Sequence, residues 1–393
     1  MDIEQIKKEA AERMEWMRHI RRTIHRRPEA GFQEFETSAL IKAKLDELHI
    51  PFTDRVAETG VIAHIDRRTG TNDRCVALRA DMDALPLNEE TGLDFASEIP
   101  GMMHACGHDG HVAMLLGAAS ILKKIPFNGK IKFIFQPAEE GEGGATRMIA
   151  EGALDDVDQI FGGHIDRHFP TGTLSVQPGL ICAYTDTFRI DILGRGGHAA
   201  RPHEAVDSVV VASHLVISLQ SLVSRELNPA YPSVITIGSI SGGSAPNIIA
   251  EKAVLMGTIR TTHTDIRDKV IEGIRRMVRA TGDLFNASTS ITFVKGYPPV
   301  INDTDAAETA RRAARLVVGK DHVLTQTHPS LGGEDFSFYL EKIPGCFVRF
   351  GACKKGHEFI PAHSSRFDFD EEVMRTGAAF LACVALEALG QAE

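Results

Sequence analysis

The sequence predicts an α/β protein interrupted by a smaller α+β domain, and three observations carry that expectation. From residue 38 to about 180, helical stretches alternate with short apolar runs, the rhythm of a substantially parallel sheet covered by helices. Near residue 184 the rhythm changes to a β-α-β-β-α-β succession, the ferredoxin-like split βαβ order. After the break at Tyr297-Pro298-Pro299 the first rhythm returns. The expected division is 1–184 and 297–393 for the larger α/β domain, with 185–296 inserted into it. A chain of 393 residues is long enough for two or three domains with full cores.

Each element follows from its own pattern. Ile3, Ile6, Met14, Met17 and Ile20 recur at three- and four-residue steps, predicting an N-terminal helix. It carries the basic run from Arg18 to Arg27, read as a solvated helix face because apolar residues interrupt it and acids precede it. Ser38 to Leu48 predicts a helix, Gly60–Ile65 and Cys75–Ala80 buried strands, and Gly110–Ile125 an apolar helix. Lys130–Gln136 is a strand stopped by Pro137. In the insertion, Thr185–Leu193 alternates with period two, as a half-solvated strand does. A helix over 203–225, strands at 233–240 and 248–261, a helix at 265–282 and a strand at 290–296 complete it.

Composition narrows the function classes. Forty-three Lys and Arg against 53 Asp and Glu give a net charge of −10, which disfavours nucleic acid as a general partner. The N-terminus is charged where a signal peptide would be apolar, and no uninterrupted apolar run approaches the roughly 18–20 residues of a membrane span. The six cysteines are scattered without a CxxC, as free thiols in a reducing cytoplasm would be. The expectation is a cytoplasmic protein with neither membrane nor nucleic-acid partner.

Candidate chemistry gathers where strands end, the usual place for ligands in an open α/β sheet. Arg79-Ala80-Asp81-Met82-Asp83 closes the strand that starts at Cys75. His104-Ala105-Cys106-Gly107-His108-Asp109-Gly110-His111 offers five potential metal ligands within eight residues, thiolate and imidazole among them. Gln136-Pro137-Ala138-Glu139-Glu140-Gly141 follows a buried strand, and such a pair of glutamates can divide metal binding and general-base work. Gly162-Gly163-His164-Ile165-Asp166-Arg167-His168 and Pro361-Ala362-His363-Ser364 add further imidazoles.

Other enzyme classes lose support. Gly238–Gly242 has Ile240 where a GxSxG elbow needs serine. The GxGxxA match at Gly194–Ala199 lies in the ferredoxin-like block, not at a Rossmann turn. There is no Walker A sequence, and a zinc deaminase would need a CxxC.

RADMDALP at 79–86, HACGHDGH at 104–111, QPAEEG at 136–141 and GGHAARPH at 196–203 resemble the signature of the aminoacylase and carboxypeptidase-G type of two-metal peptidases. HRRPE at 25–29, GEDFSFYLEKIPG at 333–345 and HSSRFDFDEE at 363–372 extend the likeness over nearly the whole chain. The branch it is most similar to is the amidohydrolase group of hippurate, auxin-conjugate and N-acyl-amino-acid hydrolases. The resemblance implies a metal-dependent catalytic α/β domain with an inserted lid used for homodimerisation. It also implies two divalent ions, Zn, Mn, Ni or Co, held by Cys106, His108, Glu140, His164 and His363, with Cys106 a candidate bridge. Glu139 would be the general base toward a metal-bound water, and Asp83 would orient a ligand. In the lid, His198 would polarise the scissile carbonyl, across the dimer, while Asn247 and Arg260 grip the substrate carboxylate. Two positions depart from the family's pattern: Asp166, Arg167 and His168 stand where relatives often have proline and apolar residues, and Gly333 stands where serine is common.

The expected reaction is hydrolysis of N-acyl amino acids, acetyl, aroyl or indoleacetyl, to a carboxylic acid and a free amino acid. The alternatives are an aminoacylase or carboxypeptidase acting on short peptides and, more remotely, a non-catalytic binder of acylated amino acids.

Overall fold

The apolar runs at Cys75–Asp81 and Lys130–Gln136 are central strands of an eight-stranded sheet, buried on both faces. Cys75–Asp81 lies between Lys130–Gln136 and Gln159–Pro170, parallel to both, and Gly345–Cys353 runs parallel to Gln159–Pro170 on its far side. Gly60–Asp66 and Phe52–Val56 extend the other edge antiparallel. The computed structural model describes residues 2–70, 72–354, 356 and 359–391.

The chain divides into two compact units. The larger comprises the chain up to Ile181, Val300–His328 and the chain from Asp335 onward; the smaller comprises Cys182–Pro299 and Pro329–Glu334. In the larger unit, helix His108–Lys124 is buried through Leu122 and packs with Met14–Arg26 and Val373–Ala388. The packing is close: a Cβ at Gly377 would overlap Met114 Sδ, and one at Gly117 would overlap Met17 Sδ. Overfilled cores cost about 1–3 kcal/mol. The basic run is not simply a solvated face. Arg21 and His25 are each 1% exposed, because the helix turns that side onto the core and its guanidinium meets Asp109, Asp368 and Glu371.

The smaller unit holds Tyr184–Leu193, Ser233–Gly242, Lys252–Thr261 and Ser288–Lys295 in one antiparallel sheet. Its order along the sheet is Ser233–Gly242, Lys252–Thr261, Tyr184–Leu193, Ser288–Lys295, the ferredoxin-like arrangement expected from the sequence. Ser208–Ser221 and Thr264–Phe285 cover one face, burying Leu215, Leu219, Val270 and Ile274 against Phe188, Ile190, Leu255 and Ile259. Ser208–Ser221 continues through a π turn, Leu222–Glu226. Among the described residues, Ser208–Glu226 is the one helix long and apolar enough to cross a membrane, with mean hydropathy 1.3. The helix expected over 203–225 covers all of it but Glu226; Ser213, His214, Ser218 and Gln220 interrupt its apolar run.

Candidate metal centre

The site lies in the larger unit, at the carboxyl ends of its parallel strands. The ladder between Cys75–Asp81 and Gln159–Pro170 stops at Phe161, so His164 lies beyond that ladder, mid-strand and paired on its other side with Arg349. Helix His108–Lys124 begins here, after Gly107 at φ +99°. His363 sits at φ +65° with its amide donating to Ala105 O at 2.8 Å, which ties the last segment to the Cys106 turn.

These constraints bring Cys106, His108, Glu140, His164 and His363 together. Donor atoms of Cys106, His108 and His164 lie within 4.8 Å of one another, and so do those of Cys106, Glu140 and His363. Cys106 is common to both triads. Cys106 Sγ is 3.3 Å from His164 Nε2, His363 Nε2 is 3.1 Å from Glu140 Oε1, and His108 Nε2 is 4.0 Å from Glu140 Oε1.

The imidazoles are prepared for ligation. His164 Nδ1 donates to Ile165 O at 2.7 Å, and His108 Nδ1 donates to Asp83 O at 3.0 Å and Oδ1 at 3.2 Å. In both rings Nε2 is left to the cluster, the tautomer that metal-bound histidines take when a second partner holds the other nitrogen. Asp83 also accepts the Glu140 amide at 2.9 Å, so one carboxylate orients two members. Among the described residues, His108 Nε2 and Glu140 Oε1 are buried with no hydrogen bond of good geometry, although His363 Nε2 stands 3.1 Å from Glu140 Oε1. A buried orphan is costly, and a shared cation satisfies both atoms at once. The residues therefore fit divalent metal.

Electrostatics agree. Burial disfavours the His108 cation, yet Asp81 and the bonds to Asp83 and Cys106 raise its pKa well above the usual value. Hydrogen bonds to Cys106 and Glu140 raise His363 to about 10, against burial. Burial, with His111 and Arg349 beside it, holds His164 well below its usual value. Burial and the Glu140 charge push the Cys106 thiol up, against hydrogen bonds from His108 and His363. Two of the three imidazoles thus hold protons more tightly than usual, as expected where carboxylates call for positive charge.

Glu139 lies beside this cluster, 6% exposed, its Oε1 accepting the Asp335 amide at 3.3 Å. The Asp335 carboxylate accepts from Arg79 Nη2 at 2.8 Å, Gln136 Nε2 at 2.8 Å and the Ala145 amide at 2.9 Å. Arg79 also reaches Asp81 and Gln136. This buried scaffold joins two strand ends to the loop over Glu139.

Not every candidate in HACGHDGH has a nitrogen or oxygen left free to ligate, although Asp81, His108 and His111 also bring donor atoms within 4.8 Å of one another. His111 has both nitrogens committed, Nδ1 donating to Asp81 and Nε2 accepting the Ile165 amide at 2.8 Å. Asp109 turns away to Arg21 and His25. His104 is 1% exposed with neither nitrogen hydrogen-bonded among the described residues, and burial lowers its pKa to about 4. Asp166 and His168 pair with each other at 2.7 Å, and neither joins a triad of candidate ligands among the described residues. At Gly333 a Cβ would stand 2.7 Å from Thr185 Cγ2, so a serine would require that contact to open.

His198, Asn247 and Arg260 lie in the smaller unit. His198 and Asn247 are neighbours: Ile248 pairs with His198, and the Ala199 amide donates to Asn247 O at 3.1 Å. Arg260 sits next to the end of strand Lys252–Thr261, between Val234 and Thr185, on the sheet face opposite the helices. It is half-buried and makes no side-chain hydrogen bond or ion pair among the described residues, whereas nearby Asp186 is taken by Arg267. Burial lowers the Arg260 pKa, with Asp186 pulling the other way.

Residues 77–387 match the family described as Peptidase family M20/M25/M40. IAA-amino acid hydrolase ILR1-like 2 of Arabidopsis thaliana is 41% identical over 382 residues, covering 95% of this chain and 85% of its own length. Thermostable carboxypeptidase 1 of Saccharolobus solfataricus is 37% identical over 393 residues, 98% of each chain. The solved structure of the Bacillus subtilis YXEP protein, described as a dinuclear metal binding peptidase from the M20 family, aligns with a TM-score of 0.81. It is 34% identical, over 96% of this chain and 99% of that one.

Proposed function

Since the chain belongs to peptidase family M20/M25/M40 and is a metal-dependent hydrolase, we propose that it cleaves N-acyl amino acids to a carboxylic acid and a free amino acid. One observation carries this reading: two candidate ligand triads share Cys106, with the Glu139 carboxylate beside them. Cys106, His108, Glu140, His164 and His363 would hold two divalent ions. Thiolate and imidazole favour Zn, Co or Ni, and Mn suits a sub-site dominated by carboxylate. Divalent metal held there supplies Lewis acidity, lowering the pKa of water from about 15.7 to about 7 and polarising a carbonyl.

The chain's own residues do the rest. Glu139 takes the proton of the attacking water and returns it to the leaving nitrogen, without which the amine is a poor leaving group. The Asp335 amide fixes the direction of that carboxylate, and Asp83 fixes His108 and Glu140. His198 donates to the scissile carbonyl oxygen, and Asn247 and Arg260 bind the α-carboxylate. The unpartnered, half-buried charge of Arg260 supports that role. A homodimer through the inserted domain is supported by the Ser233–Gly242 edge strand and by exposed Ile240, Val210 and Ile217.

The carboxylate grip is testable. Arg260→Ala should raise KM for an N-acyl amino acid about 10- to 100-fold, the worth of a charged hydrogen bond, and leave the matching amino-acid amide unaffected. Equal sensitivity of both substrates would remove Arg260 from the carboxylate site. Cys106→Ala should weaken metal binding by at least about a hundredfold, beyond the roughly 10–100-fold cost of losing a supporting partner. Full occupancy by elemental analysis after dialysis would take Cys106 out of the ligand set. The sequence similarity to a carboxypeptidase keeps short peptides as the second reading.

A further inference from the structure

We propose that Glu34 is a positioning residue for Glu139 and Glu140, holding the left-handed turn at Ala138 that sets both carboxylates. The inference rests on the roles given above to those two glutamates.

Ala138 has φ +54°, a conformation that a residue with a Cβ adopts only when its surroundings hold it. The amide of Ala138 donates to Glu34 Oε1 at 2.9 Å, and its carbonyl accepts the Gly144 amide at 2.9 Å. Glu34 Oε2 accepts Thr59 Oγ1 at 2.5 Å. Although Glu34 immediately precedes helix Phe35–Glu47, its side chain does not cap that helix; both oxygens go to Thr59 and Ala138. Two residues on, Asp83 grips the Glu140 amide. A carboxylate thus holds the backbone on each side of Glu139.

The fit around the turn is tight. A Cβ at Gly31 would stand 2.9 Å from Ala138 Cβ and 3.1 Å from its Cα, so Gly31 is the wall against which Glu34 draws the turn. Glu34 is fully buried, and burial pushes its carboxyl up to about 7. A neutral amide of the same shape is therefore a close replacement: glutamine keeps the oxygen that receives the Ala138 amide, and its NH₂ donates to Thr59 Oγ1.

The experiment compares wild type, Glu34→Ala and Glu34→Gln as full chains loaded with metal. Steady-state kinetics on an N-acyl amino acid and hydrogen exchange of the 136–144 segment are both read. Glu34→Ala should lower kcat at least about tenfold with KM within about twofold, since small displacements of a reacting group are costly. Exchange over 136–144 should quicken, and Glu34→Gln should restore both readouts. A folded Glu34→Ala with wild-type kcat and exchange, or a Glu34→Gln as damaged as Glu34→Ala, would overturn the proposal. Should Glu34→Ala not fold, Gly31→Ala presses on the same turn from the other side. It should lower kcat, and adding Ala138→Gly should recover it; an unaffected Gly31→Ala would overturn the proposal equally. If wild type cleaves no N-acyl amino acid, the reading of the reaction has failed, and the exchange data alone decide the role of Glu34.

Discussion

Glu139→Gln is expected to cut turnover by at least about a hundredfold while metal content stays at the wild-type value, because general acid–base catalysis contributes about 10²–10⁴-fold. The substitution is nearly isosteric. Its amide oxygen can still accept the Asp335 amide that holds the carboxylate, so the side chain keeps its place and loses only its basicity. Turnover and bound metal must be measured on the same preparation. His108, Glu139 and Glu140 also form a triad with donor atoms within 4.8 Å, so the competing idea is that Glu139 is itself a ligand. On that idea Glu139→Gln would lose metal together with activity. Near-normal turnover would refute the base outright.

Arg21→Ala should destabilise the larger unit by about 3–5 kcal/mol, the usual cost of breaking a buried ion pair. Arg21 is 1% exposed and lies 3.1 Å from Asp109, 2.7 Å from Asp368 and 3.1 Å from Glu371, with its guanidinium 4.0 Å from the Phe369 ring centre. Asp109 is fully buried, and among the described residues His25 would be its one remaining ion-pair partner. Urea unfolding followed by tryptophan fluorescence reads the change through Trp16, the single tryptophan, on the same helix. A midpoint within error of wild type would show that the network is dispensable. The pH dependence has two sides. Burial opposes ionisation of Asp109, but Arg21 and His25 outweigh it and depress its pKa, so its contribution is present above the unfolded value of about 3.9 and lost on acidification. Burial also opposes the His25 cation, yet Asp109 and Glu89 raise it to about 9. That contribution is full below the unfolded value of about 6.5 and disappears as pH rises through 9.

Much of the fold was legible because its signals are local. Period-two alternation over Thr185–Leu193 and the apolar run at Lys130–Gln136 each announce their burial without reference to distant residues. The HACGHDGH segment was legible as a candidate metal cluster for the same reason. What the local pattern could not do was divide the labour within it. His111 and Asp109 look as ligand-like as His108, and only partners far along the chain, Ile165 for one and Arg21 for the other, commit them elsewhere. The scaffold of Arg79, Gln136 and Asp335 was missed because residues 79 and 335 meet only once the sheet has formed. Arg21 and His25 look solvated from the sequence because charge suggests exposure, and their acidic partners come from other segments of the chain.

The central claim is metal-dependent cleavage of N-acyl amino acids, and amine release from a substrate panel tests it most directly. N-acetyl-, N-benzoyl- and indoleacetyl-amino acids and unblocked dipeptides are offered to protein stripped of metal, then to protein restored with Zn, Mn, Co or Ni. The account predicts no release from the stripped protein and, after restoration, release confined to the acylated amino acids. Cleavage of dipeptides in preference to them would give the reaction to the peptidase reading. Stoichiometric metal uptake with no release from any substrate would contradict the account altogether and leave a binding protein.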